Sequence, residues 1–312
     1  MPSALMVVSV LLASSGGAAA KFAGSSVTLR HTTNARGLDA SADLTWNPYA
    51  AAVLSLSPVY SVAPKLTVSA NWDLEAEYTQ RDAEARAFSY GDPSLTLAHG
   101  EVYRHRITGV TLSASSTLRA GVSPSSRAKT RYGALTVGLG ASKAFKWRQG
   151  ASVSVGLSAT GYSHGARYGS PSLSLYSSCR GAVSVTSAAG ACAEDLVINS
   201  GSANAYGGVT SSLTGSFKLP MKMSARARLG GTWIGTYAHD LEDERISFAG
   251  PPGTSLRALL FSDLRVGYAP KKQLALALGM QTAHPQLGAN GTYRTPFINR
   301  YSNLYLDVTA SY

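Results

Sequence analysis

Asn303-Leu304-Tyr305-Leu306-Asp307-Val308-Thr309-Ala310-Ser311-Tyr312 closes the chain, and its alternation decides the fold class. Leu304, Leu306, Val308, Ala310 and Tyr312 share one parity; Asn303, Tyr305, Asp307, Thr309 and Ser311 share the other. A period of two is that of a β-strand with one apolar and one polar face. The stretch also matches the length of about 9–11 residues that a tilted strand needs to cross a bilayer. An aromatic stands at its end, where interface-seeking rings sit.

The composition suits a surface that is not all wet. Of 312 residues 45% are hydrophobic and 14% are charged, against roughly 25% charged in soluble domains. The mainly apolar stretch Ala4–Ala13 is shorter than the roughly 20 residues of a membrane helix. Ser14-Ser15-Gly16-Gly17 and Ala18-Ala19-Ala20 follow it, the layout of a secretory signal with a small-residue cleavage site. Residues 1–20 are therefore expected to be a signal peptide, the alternative being an N-terminal strand, and residues 21–312 the mature domain. No Cys at the junction suggests a lipid anchor. In an exported chain Cys179 and Cys192 are expected to pair as a disulfide. They offer too few ligands for a structural metal, and neither metal nor cofactor is expected. The net charge of +11 invites a nucleic-acid reading, but the cations form no run and an exported chain has no such partner.

In chain order, Ser25–Thr33 and Leu38–Trp46 both have strand character, and one of them is counted as crossing. Leu54, Leu56, Pro58 and Tyr60 share a parity, and Ala63-Pro64-Lys65 turns the chain. Leu66–Tyr78 alternates most clearly, with Leu66, Val68, Ala70, Trp72, Leu74, Ala76 and Tyr78 on one face. Further strands are expected near Asp92–Val102, Val110–Ala120, Leu135–Ser142, Val153–Ser158, Ala203–Phe217, Met223–Trp233, Leu256–Tyr268 and Leu274–Met280. A Ser/Pro-rich loop surrounds Pro124, and Gly165–Gly201 is too long for an ordinary connection. Long loops alternate with the short turns at Lys65, Arg104–Arg106, Lys146–Arg148, Leu219-Pro220 and Pro270–Lys272. The expectation is an all-β chain: a transmembrane antiparallel up-and-down β-barrel of about 12 strands.

Lipid is expected outside for two reasons. Strands running into the short turns each end in an aromatic of the apolar parity: Tyr60, Tyr103, Phe145, Phe217, Tyr268 and Tyr312. Such recurrence predicts an interfacial girdle. The polar parity is mostly Ser, Thr, Gly and charge, whereas a soluble sandwich must bury that face and a soluble barrel this wide would not fill. Asp73, Glu75, Glu77, Arg119, Arg226, Arg228, Arg257, Asp263, Arg265 and Asp307 all fall on the polar parity. An arginine facing lipid near the midplane costs about 2–4 kcal/mol, so these charges are expected in the lumen. Strands three and nine lie on opposite walls of a twelve-stranded barrel. Acid and base there either set up a transverse field across water or pair and block the lumen.

With its alternating face and final aromatic, the terminal strand resembles the C-terminal assembly signal of bacterial outer-membrane β-barrels. The resemblance implies an outer-membrane location, outer-membrane lipid around the barrel and the barrel-assembly machinery as a partner. Gly91-Asp92-Pro93-Ser94-Leu95 and the segment Leu118–Leu139 resemble porin-like outer-membrane channels of proteobacteria associated with aromatic-compound degradation. That resemblance implies transport of small solutes.

Catalytic patterns are weaker. Outer-membrane phospholipases place a His two residues before a Ser, and none of His31, His99, His105, His164, His239 or His284 has Ser at that offset. Ser163-His164 has no evident orienting acid, and Asp240, Glu242, Asp243 and Glu244 match no calcium-loop spacing. The reading is a non-enzymatic narrow channel; the alternatives are a structural or adhesive barrel acting through its long loops, and a membrane hydrolase. The disulfide is directly testable: thiol reagents should leave Cys179 and Cys192 of the exported protein unmodified until a reductant is added, and labelling of both without reductant would remove the assignment.

Overall fold

A computed structural model describes residues 22, 24–34, 50–78, 88–146, 150–169, 200–237, 247–248, 256–285, 297 and 302–312. The expected signal segment 1–20, the candidate strand Leu38–Trp46, both cysteines and the acidic run at Asp240–Glu244 lie outside the described residues.

Twelve antiparallel strands close on themselves. They are β1 (Ser26–Asn34), β2 (Ala50–Ser57, continuing as Val59–Ala63), β3 (Leu66–Glu77), β4 (Phe88–Tyr90, continuing as Ser94–Arg104), β5 (Thr111–Ala120) and β6 (Arg131–Phe145). The second half comprises β7 (Ala151–His164), β8 (Ala205–Lys218), β9 (Met223–Thr236), β10 (Leu256–Lys271), β11 (Leu274–Pro285) and β12 (Ser302–Ser311). Each strand pairs with its chain neighbours, and β1 pairs with β12 from Ser26–Ser311 to Asn34–Asn303. Of the two N-terminal candidates, the first is therefore a wall strand. The expected strands recur at their places, several of them longer: β6 and β7 extend to 15 and 14 residues. The short turns, the start of β1 and the end of β12 gather at one end of the barrel, and the strand ends that lead into the longer connections lie at the other.

Two irregularities show how the wall keeps its backbone satisfied. Pro58 has no N–H to give and splits β2. The buried Ser25 repairs the ladder: its Oγ accepts from Val59 N at 2.8 Å, and the Pro58 carbonyl accepts from Ala70 N at 3.0 Å. The second is in β4, split at Gly91-Asp92-Pro93, where Gly91 N donates to Asp73 O at 2.8 Å and Ala120 N to Pro93 O at 3.0 Å. The Ser/Pro-rich loop holds a short helix, α1 (Pro124–Ala128), capped by Ser123 Oγ accepting from Ser126 N at 3.2 Å. Its alternation-free sequence placed it as loop; proline at the first turn and the serine cap are the helical signal.

Register assigns the faces. Leu97, Leu118, Leu139, Leu157, Leu213 and Leu278 sit on the outer parity and are exposed. That inverted pattern, apolar outside, belongs to a barrel solvated by lipid. Tyr103, Phe145, Phe217 and Tyr268 lie exposed on the outer face at the short-turn end, Tyr312 follows the last strand, and Tyr60 packs edge-on against Phe22 at 5.3 Å. Inside, hydroxyls pair across strands: Thr28 with Thr309 at 3.0 Å, Thr96 with Thr117 at 2.8 Å and Thr136 with Thr160 at 2.8 Å.

The closing seam carries an ion pair. Arg30 of β1 donates to both oxygens of Asp307 of β12, from Nε at 2.8 Å and Nη2 at 3.0 Å, and the Asp307 side chain is only 2% exposed. Bidentate geometry makes this one of the stronger pairings available to a carboxylate.

Two outcomes are expected. Leu306→Arg or Val308→Arg should impair insertion while Thr309→Arg is tolerated far better, because only the first two face lipid; equal membrane yields of the three variants would refute the register. Asp307→Ala strands a half-buried guanidinium, so urea titration of the reconstituted barrel should show a loss of about 3–5 kcal/mol.

Candidate functional site

The lumen is built unevenly. On β5 to β8 most inward residues are small and polar, among them Ser115, Thr117, Gly138, Ser154, Ser158 and Thr210, and these remain accessible to solvent; Arg119, Tyr162 and the buried Ala134 share their parity. On the opposite side, formed by β10 to β12 and β1 to β3, the inward set includes Ala51, Glu77, Ala277, Tyr305 and Asp307, all buried. Inward side chains are therefore packed more closely on one side of the barrel, and the other is the wetter side.

The filled side is a connected network. Besides Asp307, Arg30 donates from Nη1 to Gln281 Oε1 at 3.1 Å and lies 4.1 Å over the Tyr305 ring. Tyr305 Oη donates to Asp263 Oδ1 at 2.6 Å, and Arg265 Nη2 stands 3.9 Å from Asp307 Oδ2. Glycine makes this flatness possible at two places. A Cβ on Gly279 would collide with the Tyr305 ring, and one on Gly230 with the Phe261 ring. Both rings thus lie along the wall instead of projecting into the channel, and Arg228 sits 5.1 Å over Phe261.

The charges singled out in the sequence take the following register positions. On β3, Asp73 accepts from Ser55 Oγ at 2.6 Å, while Glu75 and Glu77 stand opposite Val53 and Ala51. Six strands away in the closed order, Arg226 and Arg228 of β9 stand opposite Arg265 and Asp263 of β10. Arg226 is exposed within the lumen, as is Arg119, which lies opposite Ser94 and Ala134; Arg257 is opposite Ile234 near the long-loop end. The ion pairs of Asp307 run along the wall to Arg30 and Arg265, not across the lumen. Sequence reading passed over Arg30, Gln281 and Phe261. Only the shared parity of Thr28, Arg30 and Thr32 pointed to the first of them.

A second network explains the two stretches that resembled known channels. Asp92, in the break of β4, accepts from Ser123 N at 2.7 Å, Ser126 Oγ at 2.5 Å and Arg131 Nη2 at 2.7 Å. The loop beyond α1 is held in turn from β7 and from the residue ahead of β8: the Lys129 carbonyl lies 3.0 Å from His164 Nδ1 and accepts from Asn204 Nδ2 at 2.8 Å. Gly91-Asp92-Pro93 and Leu118–Leu139 are thus two halves of one clasp that seats α1 on the barrel wall. His164 acts in it as a strut, its Nε2 2.9 Å from the Ala205 carbonyl. Ser163, adjacent along a strand, points to the other face and cannot share a proton with it.

No family model matches the chain, and no curated protein matches it in sequence. Among solved structures it is similar to an outer-membrane channel from Pseudomonas putida F1, with a TM-score of 0.52 and 16% identity over 93% of this chain and 96% of that one. The KdgM porin aligns with 92% of this chain and 99% of its own at 9% identity and a TM-score of 0.44. Outer-membrane phospholipase A from Escherichia coli aligns with 93% of this chain and 98% of its own at 11% identity and a TM-score of 0.39. At such identities the first likeness is one of fold, and the chain has the fold of a bacterial outer-membrane β-barrel.

Proposed function

We propose that this chain is a channel of the bacterial outer membrane that lets small solutes pass, anions in preference, along the wet side of its lumen. The observation that carries the reading is the half-filled interior. Twelve strands enclose a space between that of eight-stranded barrels, which side chains fill, and that of sixteen-stranded porins. Here the Arg30–Asp307–Tyr305 network occupies one side, while Ser, Thr and Gly leave the β5 to β8 side accessible. Resistance to solute passage is lowest where the lining is small and polar.

The arginines supply the sign. Asp263 and Asp307 are engaged by Tyr305 and Arg30, whereas Arg226 stands directly across from Arg265. Like charges opposite each other in a sheet repel, so this wall attracts a counter-ion from the lumen. The acids Asp73, Glu75 and Glu77 on the far wall complete a transverse field. Export by residues 1–20, a Cys179–Cys192 bridge in an outer loop, an interfacial girdle made by Tyr60, Tyr103, Phe145, Phe217, Tyr268 and Tyr312, and delivery of the terminal strand to the assembly machinery all accord with this location.

Planar-bilayer recordings test the reading. The purified protein should give steady single-channel steps, and Ser154→Trp, on the wet side, should reduce them. Arg226→Glu with Arg228→Glu should move the reversal potential in a salt gradient toward cation selectivity, and Glu75→Gln should move it the other way. These shifts should fade at 1 M salt, where the reach of a wall charge falls to about 3 Å. An unchanged reversal potential in a conducting double variant would take those arginines off the path. Absence of conductance would replace the channel with a structural or adhesive barrel.

A further inference from the structure

Cations crowd one end of the barrel. Every short connection or its flanking strand end carries an exposed one: Lys65 after β2, Arg104 and Arg106 after β4, Lys146 after β6, Lys218 and Lys222 between β8 and β9, and Lys271 and Lys272 between β10 and β11. Among the described residues the one acidic side chain at this rim is Glu101, which Lys65 and Arg104 both engage at 2.7 Å. The collar therefore supplies most of the formal net charge of +11.

Three further observations bear on what it meets. First, the backbone works against the residues chosen. Lys65 and Lys222 sit at φ of 66° and 60°, and Met221 at 55°, a left-handed region where Gly or Asn is the easier fit. Both lysines are exposed there, Lys65 Nζ donating to Glu101 at 2.7 Å and Lys222 Nζ to the Pro270 carbonyl at 2.9 Å, so each ammonium is held at the rim. Second, apolar tips stand among the cations: Ile107 is 91% exposed and Met221 79% exposed. Third, the exposed rings of Tyr103, Phe145, Phe217 and Tyr268 lie just above the collar on the outer face, and Lys143 reaches over the Phe145 ring at 5.2 Å. Aromatics followed outward by cations and isolated apolar tips is the order of side chains that suits a headgroup layer.

We infer that the short-turn end is a binding surface for anionic phospholipid headgroups of the leaflet it meets. The lysines and arginines hold headgroup phosphates, while the rings and tips occupy the acyl boundary. The collar so placed fixes the depth of the barrel in the bilayer, and the attraction is electrostatic and screened by salt.

The test uses the full mature protein in vesicles of phosphatidylcholine alone or with phosphatidylglycerol, read by urea unfolding midpoint. The midpoint should rise with phosphatidylglycerol, and the rise should vanish at high salt. Free inorganic phosphate added to phosphatidylcholine vesicles should not reproduce it. In the variant Lys65→Asn, Lys222→Asn, Lys271→Gln, Lys272→Gln the rise should shrink, while in phosphatidylcholine alone the midpoint should hold or increase because Asn suits the positive φ. Should that variant fold poorly, Lys271→Gln with Lys272→Gln, away from the left-handed positions, should still lose part of the rise. An equal midpoint in both lipids, or a full rise retained by both variants, overturns the inference and leaves the collar for an acidic protein partner.

Discussion

Hydrocarbon offers no partner to a backbone N–H or C=O, so a chain that crosses a bilayer as strands must close its sheet. Everything else in this molecule follows from that closure. The pairing of β1 with β12 removes both edges, and the Arg30–Asp307 pair sits directly on it. Where the sequence would break the wall, a local substitute appears. Ser25 Oγ accepts from the N–H of Val59 beside Pro58, and the carbonyl of Pro93 reaches Ala120 across the interruption of β4.

Closure makes an inside, and the side chains partition it. Gly279 and Gly230 let Tyr305 and Phe261 lie flat against the wall, which packs one side without sealing the other. Arg119 and Arg226 stay exposed while Asp263 and Asp307 are engaged by Tyr305 and Arg30, and on this the proposed passage with a positive wall rests. The clasp of Asp92 with Ser123, Ser126 and Arg131 anchors the α1 loop at β4 and β6, beside the small polar lining of β5 to β7.

The outside is partitioned along the barrel axis as well. Leucines and valines occupy the middle of the outer face, aromatics its lower margin, and cations the turns beyond. Hydrocarbon, interface and headgroup would each favour one of these residue types, and the order is carried by the strands that run into the short turns.

Much of this was legible because the signal is local. Alternation of the kind seen in Asn303–Tyr312 and Leu66–Tyr78 needs no knowledge of neighbours, and repeated along the chain it pointed to the closed antiparallel barrel of twelve strands. The Gly91–Leu95 and Leu118–Leu139 stretches pointed to a channel-like barrel, though not to the contact between them. What alternation does not contain is partnership. Arg30 and Asp307 are 277 positions apart, and whether a lumen acid faces water or a guanidinium depends on register between strands that meet only when the sheet closes. The same holds for Tyr305, whose ring settles over Gly279 on one strand and whose hydroxyl reaches Asp263 on another. Sequence determined which face each residue takes, because the pleat repeats every two residues; the tertiary structure alone decided which half of the lumen is filled, because that depends on contacts between strands remote in the chain.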